Sequence, residues 1–406
     1  MSLVVLGPVL AFLVLMACWW FGGKPGEGRI SLLVALAFTA ASLACLMGGP
    51  AVLELGLWYA NFELALQFDA VGLAFATFTA CMVGLVGLFS ARYLHREPGF
   101  LRFYLLLSLF GAGVITVALA ANLDLFVVGW ELVGLTSALL IGFFAHRPGP
   151  ARHGLRAFVT YRVCDLGLLA GLLWLHHTTG TTRLMGLALP GQAFDRHLIG
   201  LLLVLAAMGK SAQFPVGGWL PRAMEGPTPS SAIFYGAISI HLGPLLLLRV
   251  APLIASSWPT SLALVLTGSV TAVYATVVGR VQPDVKNALA YASMTQSGLI
   301  FVELGLGFEH LALLHMLGHG LVRTLEILRS PSLLHDYHEL EQALGELPRM
   351  GAHLERIFPP TLQSRLYALA LARFYVDEAL EAAVAAWLRL ARGLDGLERR
   401  FSRWLG

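Results

Sequence analysis

The residue with the most unusual chemistry in this sequence is Lys210. It lies at the inner end of an apolar run that begins at Leu198, and the chain breaks directly after it in the sequence FPVGG at 214–218. A charged amine is rare and costly at membrane depth, where it usually marks an ion or proton path. A helix can break there only if its freed backbone lines a cavity or packs against protein. The pattern predicts a buried amine beside a broken helix.

A carboxylate that could exchange charge with this amine is Glu131, near the middle of another apolar run. An unpaired carboxylate in such a setting is strongly destabilising or takes up a proton. Burial favours the neutral amine and a nearby carboxylate favours the charged one, so Glu131 and Lys210 could switch their protonation states against each other. A purely structural ion pair is the alternative interpretation of Glu131.

Histidines supply a second group of candidates. His315, His319 and Arg323 recur every four residues and therefore share one helix face. We expect a hydrated proton wire on that face, in which Arg323 holds charge or water in place because a guanidinium does not readily release its proton. His241 lies midway along another apolar run and is expected to relay protons, although a lone histidine is often only a hydrogen-bonded core residue.

Four polar residues are expected to support or tune these groups. Arg162 and Asp165 stand three apart on one predicted helix and could form a local ion pair, with a structural role as plausible as a functional one. Ser211 and Gln213 follow the lysine directly. Their side chains could orient water or satisfy the backbone of the broken helix.

Two further charges have both an ordinary and a functional interpretation. Glu225 precedes a Gly-Pro-Thr-Pro-Ser turn that starts a helix, so it is either a solvated loop charge or a polar group beside the path. Lys286 lies at the predicted cytoplasmic start of its helix. A long side chain there can reach the interface, which is ordinary anchoring.

Metal and cofactor sites are not expected. His315/His319 and His335/His338 could each supply two zinc ligands, but no third ligand converges with them in the sequence. The four cysteines fall singly inside apolar runs, as is typical of packing residues. There is no phosphate-binding glycine loop, haem motif or dinucleotide fingerprint.

The composition indicates where these residues must lie. The chain has 406 residues, of which 57% are hydrophobic and 13% charged, with a mean hydropathy of +0.74. This is too apolar for a soluble globule, and windows of about 17–25 apolar residues can span a bilayer as helices. We therefore predict an all-α fold, a polytopic membrane bundle of about eleven transmembrane helices with a broken helix around 198–225. The windows are 2–21, 29–49, 70–91, 101–121, 124–145, 156–177, 198–213, 229–250, 259–280, 287–306 and 308–329.

The distribution of charge predicts an orientation. Arginine and lysine collect in alternate loops, as at Arg92, Arg96, Arg147 and Arg152. The positive-inside rule then places the N-terminus outside and the C-terminus in the cytoplasm. We expect a multi-pass protein of the bacterial cytoplasmic (inner) membrane, whose first window is a retained span because it lacks a basic region and a cleavage site.

Three regions are expected along the chain. They are N-terminal transmembrane helices at 1–100, a helical core with the ionisable residues at 101–330, and a polar cytoplasmic or lateral segment at 331–406. Within the last region, residues 364–405 could form a long amphipathic helix along the membrane surface or on a partner. A twelfth span at 366–385 is less favoured because four charged residues interrupt it.

Five stretches carry a resemblance to a known family: WELVGL at 130–135, RVCD at 162–165, GKSAQFP at 209–215, WLPRAMEGPTP at 219–229 and DVKNALAYAS at 284–293. They resemble the antiporter-like, proton-pumping subunit of respiratory complex I and of Mrp-type sodium/proton antiporters, over roughly residues 65–330. The resemblance implies inverted repeats with broken helices near the midplane. It also implies that Glu131 is the modulating carboxylate, Lys210 the switching base, and His315 and His319 part of a central hydrophilic axis.

The sequence also departs from this family. Arg323 stands where the family usually has lysine, and Tyr235 where it commonly has histidine. After the eleventh window the chain passes to a polar segment instead of a second broken helix with another lysine, although FYVDE at 374–378 resembles a motif near the C-terminal end of the complex I subunit. A shortened relative is therefore expected, rather than a full antiporter or a standard complex I pump.

This arrangement is similar to two-subunit inorganic-carbon accumulating complexes. In these, an antiporter-like membrane subunit admits protons or another cation, and a cytoplasmic zinc subunit similar to beta carbonic anhydrase converts carbon dioxide to bicarbonate. We expect a proton-conducting subunit coupled to such a partner, docked near His335, Asp336 and His338, with no catalytic chemistry of its own and no nucleic-acid partner. The alternatives are a proton-pumping subunit of a complex I-like NADH-quinone oxidoreductase or cation/proton antiporter, and a non-conducting scaffold, against which the intact polar residues argue.

Overall fold

The structure is a computed structural model that describes residues 2–23, 25–59, 62–344 and 359–405. Those residues are almost entirely helical, which confirms the predicted all-α class; a two-stranded antiparallel hairpin was not predicted. The first half comprises α1 Ser2–Trp20, α2 Glu27–Leu46, β1 Ala51–Tyr59, β2 Phe62–Phe68, α3 Ala70–Tyr93, α4 Phe100–Leu119, α5 Leu123–Ile141 and α6 Pro148–Thr179. The second half comprises α7 Ala193–Lys210, α8 Trp219–Arg222, α9 Thr228–Ser231, α10 Leu242–Arg249, α11 Ala251–Ala255, α12 Trp258–Gly279, α13 Val285–Gly305, α14 Glu309–Leu344, α15 Pro360–Leu371 and α16 Val376–Leu405.

Nine helical segments of the described residues are long and apolar enough to cross a membrane, and they correspond to nine of the eleven predicted windows. The other two windows, 198–213 and 287–306, also fold as helices, α7 and α13. Helix α7 carries three charged residues, Asp195, Arg196 and Lys210, and α13 carries Lys286 and Glu303 together with several amide and hydroxyl side chains. The chain is thus a polytopic helical membrane protein.

The predicted break after Lys210 is present. Helix α7 ends at this residue, Ala212 has a left-handed φ of 51°, and the Phe214–Pro215 peptide is cis. Side chains take up the freed backbone groups: the Gln213 amide donates to Ser211 O at 2.9 Å, and Phe214 N donates to the Thr271 hydroxyl at 2.9 Å. The break is therefore buried against protein, as an irregular segment at membrane depth must be.

The predicted span at 229–250 is not one regular helix. After α9 it continues as a π-helix at Ala232–Ala237 and a 3₁₀ turn at Ser239–His241 before α10 begins. Pro244 lacks the N–H that would bond to the carbonyl four residues earlier, which favours an irregular turn at that point. Such π and 3₁₀ segments inside helices often occur at functional sites. His241 lies at this junction, and neighbouring helices bury the whole segment.

Close packing positions these elements. Helices α6 and α7 lie against each other, as do α12 and α13. At the second contact the backbones touch, because a Cβ on Gly298 would lie 2.6 Å from the carbonyl oxygen of Gly268. Asp69 connects the β1–β2 hairpin to the helical bundle. It caps α3 by accepting from Gly72 N, accepts from the Gln67 amide and pairs with Arg249 at the end of α10.

The C-terminal helix is interrupted rather than continuous over 364–405. Helix α15 ends before a turn at Arg373–Tyr375, whose three residues have left-handed φ values of 50°, 56° and 56°. Helix α16 follows, with apolar and charged side chains on opposite faces. Asp377 accepts from Arg156 at 2.6 Å and from Arg222 at 2.7 Å, which fixes the start of α16 to the bundle. Neither helix is among the nine spanning segments of the described residues.

Candidate functional site

Lys210 is fully buried and held by aromatic rings. Its Nζ donates to the carbonyl oxygen of Trp130 at 3.1 Å and lies 4.5 Å from the Tyr161 ring centroid and 5.1 Å from that of Trp130. Ring faces attract a cation, and the C-terminal end of α7 adds a favourable dipole. The Trp219 indole donates to Gly209 O at 3.1 Å and steadies the helix end. We call Trp130 and Tyr161 the aromatic box.

Three charged side chains lie next to the aromatic box: Glu131, Arg162 and Asp165. We call them the charge cluster. Asp165 is 2% exposed and accepts from the Trp130 indole at 2.6 Å and from Arg162 at 2.8 Å. Arg162 also pairs with Glu131. The guanidinium is therefore shared between two carboxylates, one buried and one 30% exposed in an outward-facing apolar groove.

Among the described residues, the ion-pair partner of Glu131 is Arg162 and not Lys210. Adjacent residues of an α-helix point about 100° apart, so when Trp130 faces the amine, Glu131 must face elsewhere. The connection between amine and glutamate is relayed through Trp130, Asp165 and Arg162. A chain of contacts thus joins Lys210 and Glu131 within the described part of the protein, and the exchange of charge between them stays a prediction.

A second polar group, the histidine row, consists of His241, His319 and His315. His241 Nε2 and His319 Nδ1 are 3.0 Å apart, and the His315 ring centroid lies 6.4 Å from that of His319. His241 is fully buried and His319 is 9% exposed. The irregular turn before α10 brings the first of these rings to the face of α14 that carries the other two.

Sequence reasoning missed the residues that bind the last ring of the row. His315 Nδ1 lies 2.8 Å from Glu303 Oε1, and its Nε2 lies 3.0 Å from Gln296 Oε1. Glu303 was detectable, because it is a lone carboxylate in the apolar window 287–306, the same signal that identified Glu131. Gln296 and Trp130 carry no charge, and only the packing shows their part in the site.

Two buried hydroxyl residues lie close in sequence to these groups: Ser211 follows Lys210 directly, and Ser239 precedes His241 by two residues. A Cβ on Gly243 would collide with Ser211 Oγ, so this hydroxyl lies against the start of α10. Ser211 Oγ and Ser239 Oγ are buried and have no hydrogen-bond partner within the described part of the protein. Gln213 donates to Ser297 at 3.0 Å and joins the broken segment to α13. Unpartnered buried hydroxyls are costly in a dry interior, whereas a polar space can admit water.

Arg323 lies one turn beyond His319 on α14 and is held in place. It is 9% exposed and donates to Glu326 at 2.6 Å. A Cβ on Gly236 of the π-helix would lie 3.1 Å from Thr324 N, so the irregular span packs closely here. This end of the row therefore carries a fixed cation.

Glu225 and Lys286 lie apart from the row and line a polar cavity of about 400 Å³. Glu225 is paired with His153 at 3.1 Å, and Arg222 and Asp284 complete much of the wall. Helix α13 starts at this cavity and ends beside Glu303. At 1.5 Å per residue, about 26 Å of helix separates Lys286 from Glu303, so the cavity and the end of the row belong to opposite membrane faces. We call these the Lys286 face and the Glu303 face.

The residues expected to dock a partner, His335, Asp336 and His338, belong to the end of α14, and their side chains lie outside the described part of the structure. The helix does not end at residue 330 but runs to Leu344, about 21 Å further. Among the described residues, no three histidine, cysteine or acidic side chains come together as a metal site.

Comparison with known sequences gives two family matches. A profile described as NADH:quinone oxidoreductase/Mrp antiporter, TM, matches residues 120–351, which is more than half of the chain. A second, described as NADH-Ubiquinone oxidoreductase (complex I), chain 5 N-terminus, matches residues 58–104. The first match contains Lys210, the charge cluster and the histidine row.

Curated relatives include two oxidoreductase subunits. NADH-quinone oxidoreductase subunit L of Mycobacterium tuberculosis is 36% identical over 282 residues, which cover 68% of this chain and 44% of the relative. NADH-ubiquinone oxidoreductase chain 5 of Allomyces macrogynus is 30% identical over 420 residues, covering 98% of this chain and 64% of the relative. The chain thus spans less than two thirds of the length of either protein.

Solved structures with a similar fold include an Mrp complex from Dietzia sp., with a TM-score of 0.74 and 27% identity over 80% of this chain and 36% of that one. Another is the membrane-bound sulfane sulfur reductase, an archaeal respiratory membrane complex, with a TM-score of 0.69 and 20% identity over 80% of this chain and 69% of that one. The second likeness is evidence of the shared fold only.

Proposed function

Because the chain belongs to the NADH:quinone oxidoreductase/Mrp antiporter transmembrane family, we propose that it conducts protons across the membrane as one subunit of a larger complex. The observation that carries this proposal is the buried amine of Lys210, which is bonded to Trp130 beside the charge cluster, on a helix that packs against α10 next to His241. Buried ionisable groups of this kind are expensive and are kept where charge must move.

Lys210 is the group that changes its charge. The aromatic box and the Trp130 carbonyl favour the charged amine, and the absence of bulk water favours the neutral one. Arg162 sets the balance because it contacts both carboxylates of the charge cluster. When it stays on Asp165, that carboxylate is neutralised and the amine releases its proton; when it moves towards Glu131, the negative charge of Asp165 holds the proton on the amine.

The released proton passes to the histidine row. The hydroxyls of Ser211 and Ser239 lie on the way to His241, and a neutral imidazole can accept a proton on one nitrogen and release one from the other. His241 and His319 are already at hydrogen-bond distance, 3.0 Å. No covalent bond other than those to hydrogen is made or broken in this chain.

The polar cavity is the entrance or exit at the Lys286 face. Glu225, His153 and Lys286 give this cavity titratable walls. We assign the Lys286 face to the cytoplasm, since the basic loops collect there under the positive-inside rule. The N-terminus then lies outside, in a bacterial cytoplasmic membrane.

The test is proton flux in vesicles that contain the native complex. Lys210→Ala should reduce flux to the level of vesicles without the complex. Lys210→Arg should do the same although it keeps the positive charge, because arginine does not release its proton. The matched control is Arg280→Lys, an exposed basic residue after α12 that the proposed route does not use, which should retain most of the flux. Full transport by Lys210→Arg would refute the role of the amine as a proton carrier.

The larger complex is proposed to be an inorganic-carbon accumulating one. Arg323, paired with Glu326, offers a fixed cation where the family usually has a lysine, which suits conduction towards a partner over onward pumping through a second switching site. His335, Asp336 and His338 lie on the part of α14 that extends about 21 Å beyond residue 330, where a cytoplasmic zinc subunit similar to carbonic anhydrase could dock.

A complex I-like NADH-quinone oxidoreductase is the second candidate, because both relatives described above are subunits named for that activity. Purification from the native membrane separates the two. A zinc-containing soluble subunit that copurifies and hydrates carbon dioxide supports the first. Iron–sulfur subunits with NADH-dependent quinone reduction support the second and exclude the first.

A further inference from the structure

The histidine row ends at a carboxylate that the route described above does not use. Glu303 lies near the end of α13 and its Oε1 is 2.8 Å from His315 Nδ1. Its side chain is 17% exposed and that of His315 is 22% exposed, whereas His241 is fully buried. Exposure therefore rises along the row from His241 to His315, the ring that contacts Glu303.

The hydrogen bonds of His315 have a chemical consequence. Its two ring nitrogens face two oxygens, Glu303 Oε1 and Gln296 Oε1. Both oxygens accept when the glutamate is ionised, so this arrangement suits an imidazolium paired with a carboxylate. A neutral ring needs either a protonated Glu303 or a Gln296 amide turned to present its NH₂ group. The pair therefore has two arrangements that differ in the position of one proton.

The surrounding charges leave Glu303 as the acidic partner of the row. On α14 the ring is followed by His319 and Arg323, and His241 approaches from the junction before α10. Glu326, the other acidic side chain on this part of α14, is bound to Arg323. The second oxygen of Glu303, Oε2, is buried and has no partner among the described residues. A buried oxygen without a partner is costly in a dry interior, whereas a polar space beside it can admit water.

We propose that Glu303 is the proton port of the histidine row, the group that exchanges protons with the aqueous phase at the Glu303 face. In the inward step the O–H bond of the carboxylic acid breaks and an N–H bond forms at His315 Nδ1, which converts a neutral pair into a carboxylate and an imidazolium. The outward step is the reverse. Gln296 Oε1 accepts from His315 Nε2 both before and after this transfer. This inference rests on the proposed function, because it needs a row that conducts protons.

The experiment compares two substitutions of one residue in vesicles of the native complex. Glu303→Gln keeps the size of the side chain but cannot ionise, and it should lower proton flux at least about tenfold, which corresponds to about 1.4 kcal/mol in the barrier. Glu303→Asp keeps a titratable carboxyl group and should restore most of that loss. The matched control is Glu309→Gln, an exposed glutamate at the start of α14, which should transport like the wild type. Flux at the wild-type rate in Glu303→Gln overturns the proposal.

A second measurement applies if Glu303→Gln fails to assemble. An apolar carbodiimide reacts with protonated carboxyl groups, so treatment of the wild-type complex should modify Glu303 and stop proton flux together. Mass spectrometry of the peptide that contains Glu303 reports the modification. Complete modification with undiminished flux would contradict the proposal, and so would loss of flux with Glu303 unmodified.

The failure of this inference can be told apart from the failure of the proposed function. If the wild-type complex and Lys210→Ala show the same background flux, the proposed function fails and the port fails with it. If Lys210→Ala loses flux and Glu303→Gln keeps it, the function stands and only the port is wrong.

Discussion

The charge cluster and the histidine row are two polar networks inside the helical bundle, and they differ in how completely their polar atoms are paired. In the charge cluster, Arg162 lies between two carboxylates and Asp165 uses both of its oxygens. In the histidine row, neutral-capable rings follow one another at hydrogen-bond or near-contact spacing, and His319 Nε2 has no partner within the described residues. Paired charges are suited to hold a potential, whereas incompletely bonded imidazoles are suited to pass protons. Lys210 contacts Trp130 beside the charge cluster, and its helix packs against α10, next to His241.

The largest expected effect comes from cutting the row. His319→Leu removes the ring between His241 and His315, so proton flux should fall by on the order of 100-fold, about 2.7 kcal/mol in the barrier. Proton flux in vesicles and the amount of assembled complex are measured together. His310→Leu changes an exposed histidine of the same helix and should leave the flux unaltered. Equal flux in both variants would show that the row does not conduct.

A substitution in the charge cluster should reduce proton flux less than His319→Leu does, but it should reduce the stability of the protein more. Asp165→Asn removes the charge that binds the Trp130 indole and Arg162, so the free energy of unfolding should fall by about 2 kcal/mol, and flux about tenfold. Thermal unfolding in detergent measures the first quantity and vesicle flux the second.

Asp195→Asn is the matched control for that variant, because Asp195 accepts from the Trp174 indole at 2.9 Å near the protein surface. Its stability should change by only a few tenths of a kcal/mol. If both variants lose equally little stability, the cluster is no more than a surface-like ion pair, and the contrast with the row disappears.

The smallest effect is expected at the hydrogen bond that joins the broken segment after Lys210 to α13. Ser297→Ala removes the hydroxyl that accepts from Gln213, so the midpoint of thermal unfolding should drop by an amount equivalent to about 1 kcal/mol. Flux should stay close to that of the wild type, because the proton route does not include this hydroxyl. A large loss of flux without a loss of stability would add the Ser297 hydroxyl to the conducting route.

Much of the architecture could be predicted because lipid imposes strict demands on a sequence. The long apolar windows, the break after Lys210 and the amphipathic C-terminal helix follow from composition and from the positions of glycine and proline. The hairpin at 51–68 was missed because it lies between two strong helical windows and is too short to span. The irregular span before α10 was missed because its apolar composition is also that of a regular helix.

The site was less predictable for a geometric reason. Charged residues in apolar runs can be found one by one, as Lys210 and Glu131 were, but the sequence does not tell which helix faces which. The partner of Glu131 depends on the rotation of α5 against α6, and Trp130 acquires its role only because it faces Lys210. Glu303 could have been recognised as a lone carboxylate, although its pairing with His315 required the packing of α13 against α14.

Helix α13 carries side chains at both mouths of the route, since Lys286 lines the cavity and Glu303 meets the last ring. Its 21 residues make a rod of about 31 Å. A tilt of about 5° around the close contact with α12 at Gly298 would displace the Lys286 end by roughly 1.7 Å and the Glu303 end by roughly 0.9 Å in the opposite direction. A rigid-body tilt of α13 could thus widen the route at one membrane face while it narrows the route at the other. The two aqueous phases would then never be joined by a continuous column of water.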